Sequence, residues 1–370
     1  MRIGVIASIA HRTPPRDYGP WEQVASTLTE GLVARGHDVT LFATGDSITS
    51  AHLHAEAPTG YEEDSGVDAQ VYSGLHVAAA FERAGEFDVL SNQFDFLPLT
   101  YSRLVATPVV TTIHGFSSDR ILPVYRAYDD VARYVAISDA DRHPDLTYEA
   151  TIHHGIDLAG FTFRPEPGSY LLFLGRIHPD KGAHRAIEVA RQAGLPLVLA
   201  GIVADEAYFR EQVQPHLGRN GVTYLGPVGP ARRDTLLGGA LALVHLISFA
   251  EPFGLSVVEA LATGTPVIAH PLGSLPEIVR HGRTGFLVDD VPAAVAAANV
   301  VAGLRRRDCR DDVEERFTAH RMVADYADLF ARVVAAAPYE PSRSSSAGRS
   351  TKANRIDESL TPYGSNSWSP

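Results

Sequence analysis

Tyr170-Leu171-Leu172-Phe173-Leu174 and Pro196-Leu197-Val198-Leu199-Ala200 are two short apolar runs on either side of a helix-like stretch, Gly182–Ala193. A strand with one wet face alternates polar and apolar residues. A continuous apolar run belongs to a parallel sheet covered on both faces. Strand, helix and strand in that order therefore predict a βαβ unit. The rhythm continues toward the C-terminus, with further apolar runs at Val222–Leu225, Leu241–Leu246 and Pro266–Ala269 and helical segments between them. It also runs toward the N-terminus. Arg2–Ser8 reads as a buried strand, Trp21–Arg35 as an amphipathic helix closed by Gly36, and Asp38–Ala43 as the next strand. Phe87–Leu90, Pro108–Ile113 and Ala132–Ile137 follow. The expected fold class is α/β, with two doubly wound parallel sheets.

The break between the halves falls in Ala159–Gly168, where Gly160, Pro165, Pro167 and Gly168 interrupt the pattern. This gives an N-terminal Rossmann-like domain over residues 1–162 and a second over 163–318. A final helix over 319–337 carries Met322, Val323, Tyr326, Leu329, Phe330, Val333 and Val334 at spacings of three and four, which places them on one face. Residues 338–370 hold nine serines and four prolines without apolar periodicity, and are expected to be a disordered tail.

Composition narrows the function. The chain has 370 residues, 45% apolar and 21% charged, a profile that excludes disordered, collagenous and coiled-coil classes. A net charge of −12 argues against sequence-neutral nucleic-acid binding. No uncharged apolar stretch reaches the ~18 residues of a membrane span, and the N-terminus lacks a leader pattern. The single cysteine, Cys309, forms no internal disulfide and no cysteine metal site. A cytoplasmic location is the expectation. The acidic pair Asp139 and Asp141 follows a strand, and is expected to favour the start of a helix capped by Ser138 or Asp139 rather than to hold a metal.

Ligands of doubly wound sheets sit beyond the carboxyl ends of the strands. The loop after the first strand reads Ser8-Ile9-Ala10-His11-Arg12-Thr13-Pro14-Pro15, without the G-x-G-x-x-G of dinucleotide binders. No G-x-x-x-x-G-K-[ST] loop and no G-x-S-x-G elbow occurs either, so nicotinamide-dependent hydride transfer, P-loop chemistry and serine hydrolysis lose their main support.

Two other segments do carry chemistry. In Gly175-Arg176-Ile177-His178-Pro179-Asp180-Lys181-Gly182 two cations stand five residues apart between a strand and a helix. A diphosphate needs paired cations, the arginine as a fork of donors and the lysine as a mobile point charge. In Ala250-Glu251-Pro252-Phe253-Gly254-Leu255-Ser256-Val257-Val258-Glu259-Ala260, proline and glycine precede a helix whose first N–H groups make a ready anion site. Were this span helical, Glu251 and Glu259 would stand roughly 12 Å apart. That is the reach from a sugar ring to a ribose diol with a diphosphate between.

The segment Glu251–Ala260 resembles the E-x7-E signature of the retaining, metal-independent glycosyltransferases of family 4, which adopt the GT-B fold. Other motifs of the family lie in order: Gly175-Arg176 with Lys181-Gly182, Gly264-Thr265-Pro266, Gly273-Ser274-Leu275-Pro276-Glu277 and His281-Gly282-Arg283-Thr284-Gly285. In the first half, Arg35-Gly36-His37, Thr112-Ile113-His114-Gly115 and Gly155-Ile156-Asp157 also look like it. The family's common N-G-I-D reads His154-Gly155-Ile156-Asp157 here, and the two glycines common in its first loop read Gly19-Pro20.

The resemblance covers residues 1–337 and implies a role for each matching position. Arg176 and Lys181 would neutralise the donor diphosphate. Glu251 would accept hydroxyls of the donor sugar, and the backbone N–H groups of Phe253, Gly254 and Leu255 would hold its other oxygens or the phosphate. Glu259 would bind the ribose diol, His114 would reach across the cleft toward the anomeric carbon, and Gly19 would let the chain approach the diphosphate. The final helix would return to the first domain. The expected reaction moves a sugar from a nucleotide diphosphate-sugar, a UDP-sugar such as UDP-glucose, to a hydroxyl of a small molecule, glycan or lipid-linked acceptor. No metal or other cofactor takes part. The alternatives on the same fold are a nucleotide-sugar epimerase and a sugar-nucleotide-binding protein without activity.

Overall fold

Apolar strands alternating with helices fold, in a computed structural model that describes residues 1–115 and 119–336, into two separate parallel sheets. The tail expected at 338–370 lies outside the described residues, as do Ser117 and Ser118. The first sheet contains β1 (Arg2–Ile6), β2 (Asp38–Phe42), β3 (His52–His54), β4 (Val89–Asn92), β5 (Val109–Ile113), β6 (Arg133–Ala136) and β7 (Tyr148–Thr151), in the order β3-β2-β1-β4-β5-β6-β7. The second contains β8 (Tyr170–Leu174), β9 (Leu197–Ala200), β10 (Val222–Tyr224), β11 (Ala240–His245), β12 (Val267–Ala269) and β13 (Gly285–Leu287), ordered β10-β9-β8-β11-β12-β13. Neighbouring strands pair in parallel throughout, as between β1 and β4 or between β8 and β11.

Each sheet is covered on both faces, which is why its central strands are apolar without alternation. On one face of the first sheet, Val5, Val39 and Val110 meet Leu28 and Leu32 of the helix Pro20–Ala34. The same cluster takes in Met322, Tyr326, Leu329 and Phe330 of the final helix, Ala319–Ala336. This helix lies so close to the first that a Cβ placed on Gly31 would stand 2.4 Å from Val323 Cγ2. The opposite face is filled by Ile6, Phe42, Phe81 and Leu90. The second sheet is sandwiched in the same way, with Leu171, Phe173 and Leu199 on one side and Leu172, Leu243 and Val258 on the other.

Two features differ from the sequence reading. The edge strands β3 and β7 lack an apolar run, because an edge strand is half solvated; His52-Leu53-His54 and Tyr148-Glu149-Ala150-Thr151 are mostly exposed or half-buried. Residues 138–141 form bends and a turn instead of a capped helix. Ser138 Oγ accepts from the Asp141 N–H at 3.1 Å and donates to the Pro252 carbonyl at 2.8 Å, and Glu277 caps the N–H groups of Asp139 and Ala140 from another part of the chain. As the sequence reading has it, Glu251 lies ahead of the helix, which is Leu255–Ala262, and it is bridged to Gly273.

The docking of the final helix has a testable size. Phe330 is fully buried between this helix and the first sheet. Phe330→Ala should destabilise the protein by about 3–5 kcal/mol in urea unfolding, the range for a buried aromatic truncation. A loss under ~1 kcal/mol would show that the helix is not part of the cooperative core.

Candidate active site

Parallel strands send every following loop out at the same sheet end, and a crevice opens where the strand order reverses. In the first sheet that point lies between β1 and β4, in the second between β8 and β11. Loops from both sheets line one cleft of about 520 Å³. All nine residues singled out in the sequence line it: Gly19, His114, Arg176, Lys181, Glu251, Phe253, Gly254, Leu255 and Glu259.

Lys181 and Glu251 come from the loops after the paired strands β8 and β11, so the topology makes them neighbours. Lys181 Nζ donates to Glu251 Oε2 at 2.8 Å, and His245 Nε2, at the end of β11, faces the same oxygen at 3.2 Å. The ammonium also sits 4.4 Å from the centre of the Phe249 ring. Burial works to raise the Glu251 pKa, but the His245 hydrogen bond and the Lys181 charge outweigh it and hold the carboxyl down at about 2. Arg176 is different. It lines the cleft with no hydrogen-bond or ion-pair partner among the described residues.

Behind Glu251, Gly273 has φ +61°, and a Cβ there would stand 2.3 Å from the Glu251 carbonyl oxygen. Only glycine lets that segment approach so closely. The helix Leu255–Ala262 begins at Gly254, which has no side chain to cap the first N–H groups, and Gly254, Leu255 and Ser256 at this helix start line the cleft. Glu259, a turn into the helix, pairs with Arg233 NH1 at 3.1 Å. Burial pushes its pKa up while the Arg233 charge opposes the shift.

From the first sheet, Gly19 starts the helix Pro20–Ala34 with φ +152°, and a Cβ there would meet Pro15 Cβ at 2.9 Å and Glu22 Oε2 at 2.8 Å. Pro20 takes the first helical position, where its missing N–H costs nothing. His114, just beyond β5, turns both ring nitrogens to protein groups: Nε2 to Gln93 Oε1 at 2.9 Å and Nδ1 to His154 Nε2 at 3.3 Å. The Gln93 amide nitrogen donates to Ser91 Oγ at 3.0 Å and Thr112 Oγ1 at 2.9 Å. Its oxygen is then the acceptor, which assigns the His114 proton to Nε2. Trp21 stacks on the imidazole with ring centres 5.4 Å apart. His114 therefore reaches the cleft as a ring edge already bonded within its own sheet.

Sequence reading did not single out Arg233, His245, Gln93, Trp21 or His154. His245 offered a signal, a polar residue ending an otherwise apolar strand. The other four join the site only through tertiary contacts.

Two families match these halves. Residues 21–159 match the family described as Glycosyltransferase Family 4, and residues 160–316 match Glycosyl transferases group 1. The chain is 26% identical over 357 residues to a phosphatidyl-myo-inositol mannosyltransferase of Mycobacterium tuberculosis, covering 86% of this chain and 90% of that one. It is 34% identical over 151 residues to a glycogen synthase of the same organism, a match that spans 38% of this chain and only 36% of the synthase. Among solved structures, HepE of Anabaena in complex with UDP-glucose superposes with a TM-score of 0.69 at 20% identity, covering 90% of this chain and all of that chain.

Burial holds the His114 pKa down at about 3, so its imidazole should stay neutral and show no titration between pH 5 and 8 in a nitrogen-detected NMR experiment. The sign follows for stability. Below pH ~6.5 the unfolded chain takes up a proton that folded His114 refuses, so stability falls as the pH drops from there toward 3. An imidazole titrating near pH 6.5 would contradict this environment.

Proposed function

We propose a function from one premise: the chain belongs to the group 1 glycosyltransferases of the family 4 type, built on the GT-B fold. It transfers a sugar from a UDP-sugar, UDP-glucose in the first instance, to an acceptor hydroxyl, with retention of anomeric configuration and no metal. The observation that carries the reading is the meeting, at adjacent strand ends, of Lys181, an uncapped helix start, two carboxylates and an Arg176 without a hydrogen-bond or ion-pair partner among the described residues, all in one cleft.

In this reading the diphosphate lies between Arg176 and Lys181, with the N–H groups of Phe253, Gly254 and Leu255 close to the phosphate or the sugar oxygens. Glu259 takes the ribose diol. Glu251 accepts sugar hydroxyls; its Oε2 is already held by Lys181 and His245, which suits an anchor better than a nucleophile. The bond from the anomeric carbon to the phosphate oxygen breaks as the acceptor oxygen attacks from the same face. The acceptor proton passes to the departing phosphate oxygen. The two cations stabilise the charge that develops on that leaving group, which is the work a metal does elsewhere.

The test is product analysis with UDP-glucose and a panel of hydroxyl acceptors. NMR should show a new glycosidic linkage with the donor's anomeric configuration, formed equally well in EDTA. An inverted linkage, or activity abolished by EDTA, would overturn the mechanism. Arg176→Ala and Lys181→Ala should each weaken UDP binding by about 1.5–3 kcal/mol, the worth of a charge-assisted hydrogen bond. Binding of GDP or ADP tenfold tighter than UDP, about 1.4 kcal/mol, would replace the proposed base.

A further inference from the structure

Arg233 stands on the helix Pro230–Gly239 of the second sheet, and its two guanidinium arms serve different sheets. NH1 donates to Glu259 Oε1 at 3.1 Å; NH2 donates to the Asp17 carbonyl at 3.1 Å, in the loop that follows β1 of the first sheet. The Asp17 carboxylate also comes to the start of this helix, 3.8 Å from where a Cβ on Gly229 would lie. The same loop carries Gly19 into the cleft. A planar fork reaches two acceptors set apart from one another through separate nitrogens, a span that a lysine's donors on a single nitrogen do not cover.

We propose that Arg233 is the positioning residue that couples nucleoside recognition to closure of the cleft: through one arm it keeps Glu259 an oriented acceptor for the ribose hydroxyls, and through the other it seats the Asp17–Gly19 loop over the donor. The proposal rests on the reading of Glu259 as the ribose carboxylate. Glu259 is largely enclosed, at 13% side-chain exposure, and Arg233 is its one ion-pair partner among the described residues. Removing the guanidinium leaves a buried carboxylate alone, and a protonated Glu259 has less acceptor capacity to offer a diol. A donor without ribose makes no use of this arm. Arg233 therefore discriminates between a nucleoside diphosphate and a bare diphosphate.

The experiment measures dissociation constants of UDP and of inorganic pyrophosphate, with hydrogen exchange of residues 15–19 in the presence of UDP. The proteins are the parent, Arg233→Leu, Arg233→Lys, Glu259→Gln and the double variant Arg233→Leu/Glu259→Gln. Arg233→Leu should weaken UDP by about tenfold or more and pyrophosphate by a smaller factor, because pyrophosphate loses only the loop over the diphosphate and not the ribose contact; retained pyrophosphate binding serves as the control for folding. In the Glu259→Gln background the same change should add little. Arg233→Lys should recover most of the UDP affinity through the retained ion pair, yet leave residues 15–19 exchanging as fast as in Arg233→Leu. Equal weakening of UDP and pyrophosphate, additivity of the two substitutions, or unchanged exchange in both Arg233 variants would each overturn the proposal. Glu259→Gln that binds UDP like the parent would overturn the ribose reading beneath it, and is told apart because it needs no Arg233 variant.

Discussion

Glu251 keeps a charge inside the cleft because Lys181 and His245 converge on one of its oxygens. Moving a carboxylate out of water is costly, and removing one partner of a buried pair leaves that cost uncompensated. The stability that this charge contributes is present above about 4.5, where the unfolded carboxyl is also ionised, and is lost as the pH falls toward about 2, where the folded carboxyl takes its proton. The sheet supplies the geometry. β8 and β11 are hydrogen-bonded neighbours, so the loops that leave their carboxyl ends emerge side by side. Lys181 is therefore partly occupied before any ligand arrives, while Arg176 has no hydrogen-bond or ion-pair partner among the described residues. In the proposed function the two cations divide the work: Arg176 offers its fork to an incoming anion, and Lys181 ties that anion's position to the carboxylate proposed to accept the sugar hydroxyls.

The cleft depends equally on the ties across it. Ser138 in the first half donates to the Pro252 carbonyl, next to Glu251. Glu277 in the second half accepts from the N–H groups of Asp139 and Ala140 and from His153 at 2.9 Å. The final helix returns to the first sheet, where the Tyr326 hydroxyl meets Thr112 Oγ1 at 2.8 Å, one bond away from the Gln93 amide that orients His114. Hydrogen bonds thus link a residue near the end of the described chain to the imidazole in the cleft. Through this chain the orientation of His114 depends on the first sheet and the final helix together.

Much of this was legible in the sequence, for physical reasons that differ by residue. The central strands were plain because burial on both faces demands unbroken apolar runs; β3 and β7 were not, because an edge strand has no such demand. The turn at Ser138–Asp141 misled because its acidic residues suit a helix start, while the capping carboxylate, Glu277, lies more than a hundred residues away. Arg176, Lys181, Glu251 and Glu259 stood out because a strand end and a helix start fix them at short, regular spacings. Arg233 and Gln93 gave no such signal: each meets its partner through packing, and in the sequence Arg233 is one more cation on a polar helix face. The identity of the cleft's charged groups was readable, and the network that orients them was not.

The central claim is that this cleft holds a nucleoside diphosphate with the diphosphate on the two cations. A crystal structure of the protein with UDP tests it most directly. The account predicts phosphate oxygens within hydrogen-bonding distance of the Arg176 guanidinium and the Lys181 ammonium, and ribose hydroxyls on Glu259. A diphosphate bound away from both cations, or bridged to carboxylates by a metal ion, would contradict it.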